Sequence, residues 1–89
     1  MSATFAWSVT TPEGTARSGN AEFLVVPTTG GELGVMADHA ALVACVAPGD
    51  LRVTSGDLVT SYPVGPGVVD VRDNVVKLLL SSVPAKPSV

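Results

Sequence analysis

The chain has 89 residues, eight Asp or Glu against five Lys or Arg, and a net charge of −3 at neutral pH. That length allows one small domain that buries roughly 60–65% of the surface its unfolded form exposes, and 46% apolar against 15% charged residues excludes a disordered chain. The basic residues Arg17, Arg52, Arg72, Lys77 and Lys86 are scattered, which excludes the basic stripe of a nucleic-acid binder and a polybasic membrane anchor.

The start, MSATFAWSVT, has neither a basic region nor a long apolar core, so it does not read as a signal peptide. Within it Phe5, Trp7 and Val9 alternate with small or polar residues, a period of two that predicts a strand with one bulky face. TPEG (11–14) reads as a turn. TARSG reads as a short strand leading into AEFLVVPT, a second run rich in β-branched residues. After Gly30–Leu42, ALVACV (41–46) is an apolar run closed by Pro48-Gly49, and DLRVT alternates Leu51 and Val53 with Arg52 and Thr54. SGD (55–57) has a hairpin composition. LVTSYPV, GVVDVR and VVKLLLSS follow, separated by Gly65-Pro66-Gly67 and by Asp73-Asn74. Short strands at this spacing predict an all-β sandwich or barrel. Phe5, Trp7, Val9, Val53, Val69 and Val71 are its expected interior.

One segment carries a competing signal. Met36, Ala40, Val43, Ala44 and Ala47 form a helical stripe in an Ala-rich stretch. The reading preferred here is loop then strand, because Pro48-Gly49 leads directly into a clear strand. The domain is expected to span 1–83, with 84–89 a flexible tail carrying two prolines. The longest apolar run falls far short of the ~20 residues that cross a bilayer. The expectation is a soluble, cytoplasmic chain that meets any membrane machine through another subunit.

The stretch GGELGVMADHAAL (30–42) concentrates Gly, Glu, Asp and the chain's single His. As a phosphate loop it lacks the G-x-G-x-x-G spacing, the Gly-Lys-Ser/Thr ending and a following helix N-terminus; a β-turn using glycine for positive φ is preferred. As a catalytic pair, Glu32 and His39 lack a nucleophile and an oxyanion site, and a solvated loop is preferred. One His and one Cys nearly exclude a Cys/His metal site. Cys45 is expected as a small buried hydrophobe, since no cationic neighbour activates it. Trp7 and Phe5 share one strand face and read as core. No catalytic, cofactor or metal residue is assigned. A Gly-bounded recognition loop on a rigid scaffold remains.

GGELGVMADHAALVACVAPGDLRV resembles a motif of the epsilon subunit of F-type ATP synthases, called delta in mitochondria. Gly31, Glu32, Leu33, Gly34, His39, Ala40, Leu42, Pro48, Gly49, Leu51, Arg52 and Val53 carry the match. Ser18-Gly19 upstream and VGPGVVDVRDNVVKLLL downstream extend it over about Phe5 to Ser82. The chain departs from the family at Ala37-Asp38, where members often have Pro-Gly, and at Ala41, where Pro is common; a Gly-Gly is split as Gly65-Pro66-Gly67. The resemblance implies a flattened β-sandwich of about ten short strands. It also implies a non-catalytic rotor subunit of the central stalk, without cofactor, that couples the gamma subunit to the c-ring of a proton- or sodium-translocating enzyme. It places the chain peripherally on the cytoplasmic face of the energy-coupling membrane, with no direct membrane insertion. Glu32, Gly34, His39 and Leu42 are the implied interface, a docking loop in which His39 hydrogen-bonds either across the contact or within its own loop. Members usually continue into a C-terminal helical hairpin, whereas this sequence stops at Val89; the expectation is that it neither binds ATP nor carries an inhibitory switch. The alternative function is a freestanding β-sandwich adaptor unrelated to ATP synthesis.

Overall fold

Nine β-strands and no helix make up residues 3–81, those that the computed structural model describes. The expected tail at 84–89 lies outside the described residues. β1 (Phe5–Thr11) and β2 (Gly14–Ala21) form a hairpin over TPEG, with a bulge between Val9 and Thr10. TARSG thus belongs to an eight-residue strand that ends at Ala21, and Glu22 separates it from β3 (Phe23–Thr28). β4 (Gly31–Met36) returns along β3 after the Thr29-Gly30 turn. β5 (Leu42–Val46) and β6 (Gly49–Ser55) follow, then β7 (Leu58–Val64), β8 (Gly67–Arg72) and β9 (Val75–Leu80).

The ambiguous segment 36–47 contains no helix: a loop at 37–41 leads into β5. β5 runs beside β8, whereas β6 runs between β3 and β7. The chain changes layers at Ala47-Pro48, where Ala47 N–H still bonds the Pro27 carbonyl at 3.0 Å. One layer has the order β2-β1-β9-β8-β5 and the other β4-β3-β6-β7, joined through the single Thr28–Val46 pairing. β1 lies parallel to β9, and every other pairing is antiparallel.

The period-two alternation of each strand sends its apolar set between the layers. Phe5, Trp7, Val9, Val53, Val69 and Val71 are all buried, as expected, together with Leu24, Leu51 and Leu78 at full burial. Each fully buried Val, Leu or Phe contributes about 1.5–3 kcal/mol relative to exposure. At the open side of the sandwich Trp7 of β1 meets Tyr62 of β7, ring centroids 5.8 Å apart, and the Arg17 guanidinium lies 4.4 Å over the Tyr62 ring. Arg17 points inward from the edge strand β2, a placement that discourages edge-to-edge pairing with another chain.

Turn chemistry fixes the register. Asp73 (φ 52°) and Asn74 (φ 61°) form a two-residue loop with both residues left-handed, the primed hairpin turn that twists with the strands. At Gly67 a methyl group would strike the Leu79 carbonyl oxygen and stand 2.8 Å from Leu80 Cδ2, so only glycine lets β8 start against β9.

Candidate interaction site

The stretch 30–42 is not one loop. Thr28 Oγ1 donates to the Gly31 carbonyl across the hairpin turn, and Gly31 takes φ +117°. From there six residues are strand β4. Leu33 and Val35 face inward, and Glu32, Gly34 and Met36 face outward. The docking-loop expectation is therefore corrected to an outward strand face followed by a short loop at 37–41. The reason is pairing: Leu24 and Val26 of β3 bring Val35 and Leu33 into the core in register, so the glycines serve a hairpin.

On the outward face, β3 lies between β4 and β6. Arg52 of β6 reaches across it, and its Nη2 donates to Glu32 Oε1 at 3.2 Å and Oε2 at 3.1 Å. Both side chains are exposed, 45% and 61%, so the pair contributes about 0–1 kcal/mol to stability. Its consequence is orientation of a carboxylate that still faces solvent. Beside it the Phe23 ring covers Gly34: a Cβ there would lie 3.2 Å from Phe23 Cζ. Gly34 thus seats an aromatic ring, and with Met36 at 64% exposure it leaves a small apolar surface next to the ion pair.

The far end of β4 differs. Asp38 takes φ 61°, and its N–H donates to Asn74 Oδ1 at 2.8 Å. His39 is half-buried and lines a narrow crevice with Phe5, Val35, Val71, Asn74 and Val76. Its Nδ1 lies 2.7 Å from the Ala40 carbonyl; a carbonyl only accepts, so Nδ1 carries the proton in this contact. That contact is a hydrogen bond within its own loop. Leu42 opens β5 and packs against the core. The structure therefore brings Glu32 and Gly34 onto one face and leaves His39 and Leu42 beyond the other end of the strand. Glu32 and Met36 alone are separated by roughly 13 Å of strand.

Cys45 is exposed, which corrects its expected burial. The apolar run ALVACV is two-sided: β5 alternates, so Leu42, Ala44 and Val46 turn inward while Val43 and Cys45 turn out. Across the ladder Cys45 pairs with Val68, and Val68 with Leu79. Val43 (64% exposed), Val68 and Leu79 make this outer face apolar. It is bordered by Asp70, whose Oδ1 accepts from Arg72 Nε at 3.0 Å, and by Lys77 opposite Asp70. The bond to Asp70, then its charge, raises the Arg72 guanidinium further above its already high value, so the border holds a charged ion pair. Among the described residues no group of three or more His, Cys, Asp and Glu is placed to hold a metal, and no helix is long and apolar enough to cross a membrane.

Asn74 and the partnership of Arg52 with Glu32 were missed by sequence reasoning. Arg52 and Glu32 are twenty residues apart and meet only because β3 separates their strands. The sole signal for Asn74 was its place in a turn dipeptide between two apolar runs.

Residues 4–85 match the sequence profile of the family described as ATP synthase, Delta/Epsilon chain, beta-sandwich domain. An ATP synthase epsilon chain of Desulfitobacterium hafniense is 37% identical over 79 residues, covering 89% of this chain and 60% of the relative. Another, from Shouchella clausii, is 40% identical over 77 residues, covering 86% of this chain and 58% of the relative. The chain thus spans about 60% of the length of the curated relatives it matches. Among solved structures, a chain of the Euglena gracilis mitochondrial ATP synthase, solved as OSCP/F1/c-ring, is similar at TM-score 0.78 and 26% identity, over 88% of this chain and 51% of that one. A chain of the Tetrahymena thermophila mitochondrial ATP synthase central stalk and c-ring shares the fold at TM-score 0.70 and 15% identity, over 86% of this chain and 63% of that one.

Proposed function

Because this chain belongs to the delta/epsilon family of ATP synthase subunits, we propose that it is a non-catalytic central-stalk subunit that couples gamma to the c-ring. The observation that carries this reading is the likeness of its sandwich to a chain of an assembled F1/c-ring structure, over 88% of its length. In this role the chain does no bond chemistry. It transmits torque, and a close-packed sandwich core resists the shear that rotation applies.

Two surfaces serve two partners in this reading. The ring contact uses Glu32 as an oriented charge and the 37–41 loop with His39, while Gly34 and Leu42 act through shape, one seating Phe23 and the other anchoring the loop on the core. The gamma contact uses the outer face of Val43, Val68 and Leu79, because exposed apolar sheet faces rimmed by charge suit a lasting protein partner. The chain sits peripherally at the cytoplasmic side of the membrane and binds no ATP: its described basic residues are dispersed, with Arg52 and Arg72 paired to carboxylates and Arg17 laid on Tyr62.

Co-purification tests the proposal. The tagged chain, expressed in its own cell, should bring down gamma and c subunits after mild detergent extraction. Recovery of the chain alone, or with other proteins only, would favour a freestanding adaptor. Val68→Lys together with Leu79→Lys should strip gamma from the recovered set while the chain stays folded; gamma retained at full yield would place its contact elsewhere.

A further inference from the structure

At the end of the sandwich where β4 finishes, two separate segments meet on one side chain. Asn74 Oδ1 accepts from the Asp38 N–H at 2.8 Å, and Asn74 Nδ2 donates to the Thr4 carbonyl at 3.1 Å. The Asn74 main-chain carbonyl also accepts from Ala6 N–H at 3.4 Å. The side-chain amide can face only one way here, since exchanging its O and N would set donor against donor and acceptor against acceptor. Both residues of the 2.8 Å bond hold a left-handed backbone, φ 61° at Asp38 and at Asn74. Side chains other than glycine adopt that conformation when hydrogen bonds hold them there. His39 follows Asp38 directly and lines the same crevice as Asn74.

We infer that Asn74 is the positioning residue of the 37–41 loop. Its amide locks the left-handed turn at Asp38 and ties the loop to the start of β1, so that His39 lies over Phe5 and Val35 and the loop presents one shape to its partner. No other side chain of this size does both tasks: aspartate keeps the acceptor and loses the donor, and glycine keeps the backbone and loses both. The inference rests on the proposed function for what the loop meets, and on geometry alone for what holds it.

Amide exchange and assembly, measured on the whole chain, separate the two. Asn74→Gly suits the hairpin, since Asp-Gly favours the same primed turn, and it removes both side-chain bonds. It should speed exchange of the Asp38 amide about fivefold, the size expected for one net hydrogen bond, while amides of Val71 and Val76 stay near wild type. Asn74→Asp should leave the Asp38 amide near wild type. An Asp38 amide unmoved by Asn74→Gly, or acceleration shared by all strands, would overturn the clamp. In assembly with a gamma–c-ring subcomplex, Asn74→Gly should weaken association as much as His39→Ala, and the two together no further. Weakening by His39→Ala but not by Asn74→Gly would overturn the positioning role. If exchange shows the clamp and neither variant alters association, it is the docking role of the loop that fails.

Discussion

The two ends of β4 hold their exposed groups by different means. At Glu32 the carboxylate stands on a sheet face, and Arg52 steers it from two strands away. At His39 the chain has left the sheet, and a side-chain amide and a half-buried ring fix its path. A group on a strand inherits its place from the ladder and the core beneath it. A group on a five-residue loop depends on particular hydrogen bonds. The charged end should therefore tolerate loss of its neighbour, whereas the loop end should not.

The largest disturbance is one that removes the common support. Leu24→Ala, in the fully buried centre of β3 beside both β4 and β6, should cost about 2–5 kcal/mol, seen in denaturant unfolding. Both ends should then loosen together; a loss below 1 kcal/mol would mean that the core relaxes around the gap. Gly34→Val acts on one end only. Its methyl groups meet the Phe23 ring, with an expected cost of about 1–3 kcal/mol from crowding and little change in exchange at Asp38. Equal disturbance at Asp38 would show that the ends are coupled through β4.

Arg52→Ala should cost no more than about 1 kcal/mol, and the difference from wild type should shrink as salt rises. A larger, salt-independent loss would mean that Arg52 supports the sheet through packing. The smallest effect belongs to Cys45→Ser, within about 0.5 kcal/mol as for other surface changes. The native thiol should react with a disulfide reagent without prior unfolding; reaction only at the rate of global unfolding would return Cys45 to the interior.

Particular residues show what the sequence could say. Phe5, Trp7, Val9, Val53, Val69 and Val71 were legible as core because alternation is a local property and each lay on the apolar side of its run. Cys45 reads as interior from sequence because in ALVACV both faces are apolar, so the pattern loses the phase that separates inside from outside. From sequence the GELGVM stretch reads as loop because its glycines and Glu32 hide a weak alternation that Leu33 and Val35 complete only against β3. The family motif pointed to Glu32, Gly34, His39 and Leu42 as a group. That Gly34 seats Phe23 and that Leu42 turns inward follows from pairing across the sheets. Asn74 lies 36 residues from the backbone it holds, and no local pattern encodes such a bond.

The central claim is that Glu32 and His39 meet the ring while the fold stands without them. Binding of the chain to a gamma–c-ring subcomplex from its own cell, measured beside thermal unfolding for wild type and for Glu32→Ala combined with His39→Ala, tests it most directly. The account predicts weakened association with the thermal transition preserved. Full association would contradict it, and so would loss of the transition, which would make these residues supports of the fold.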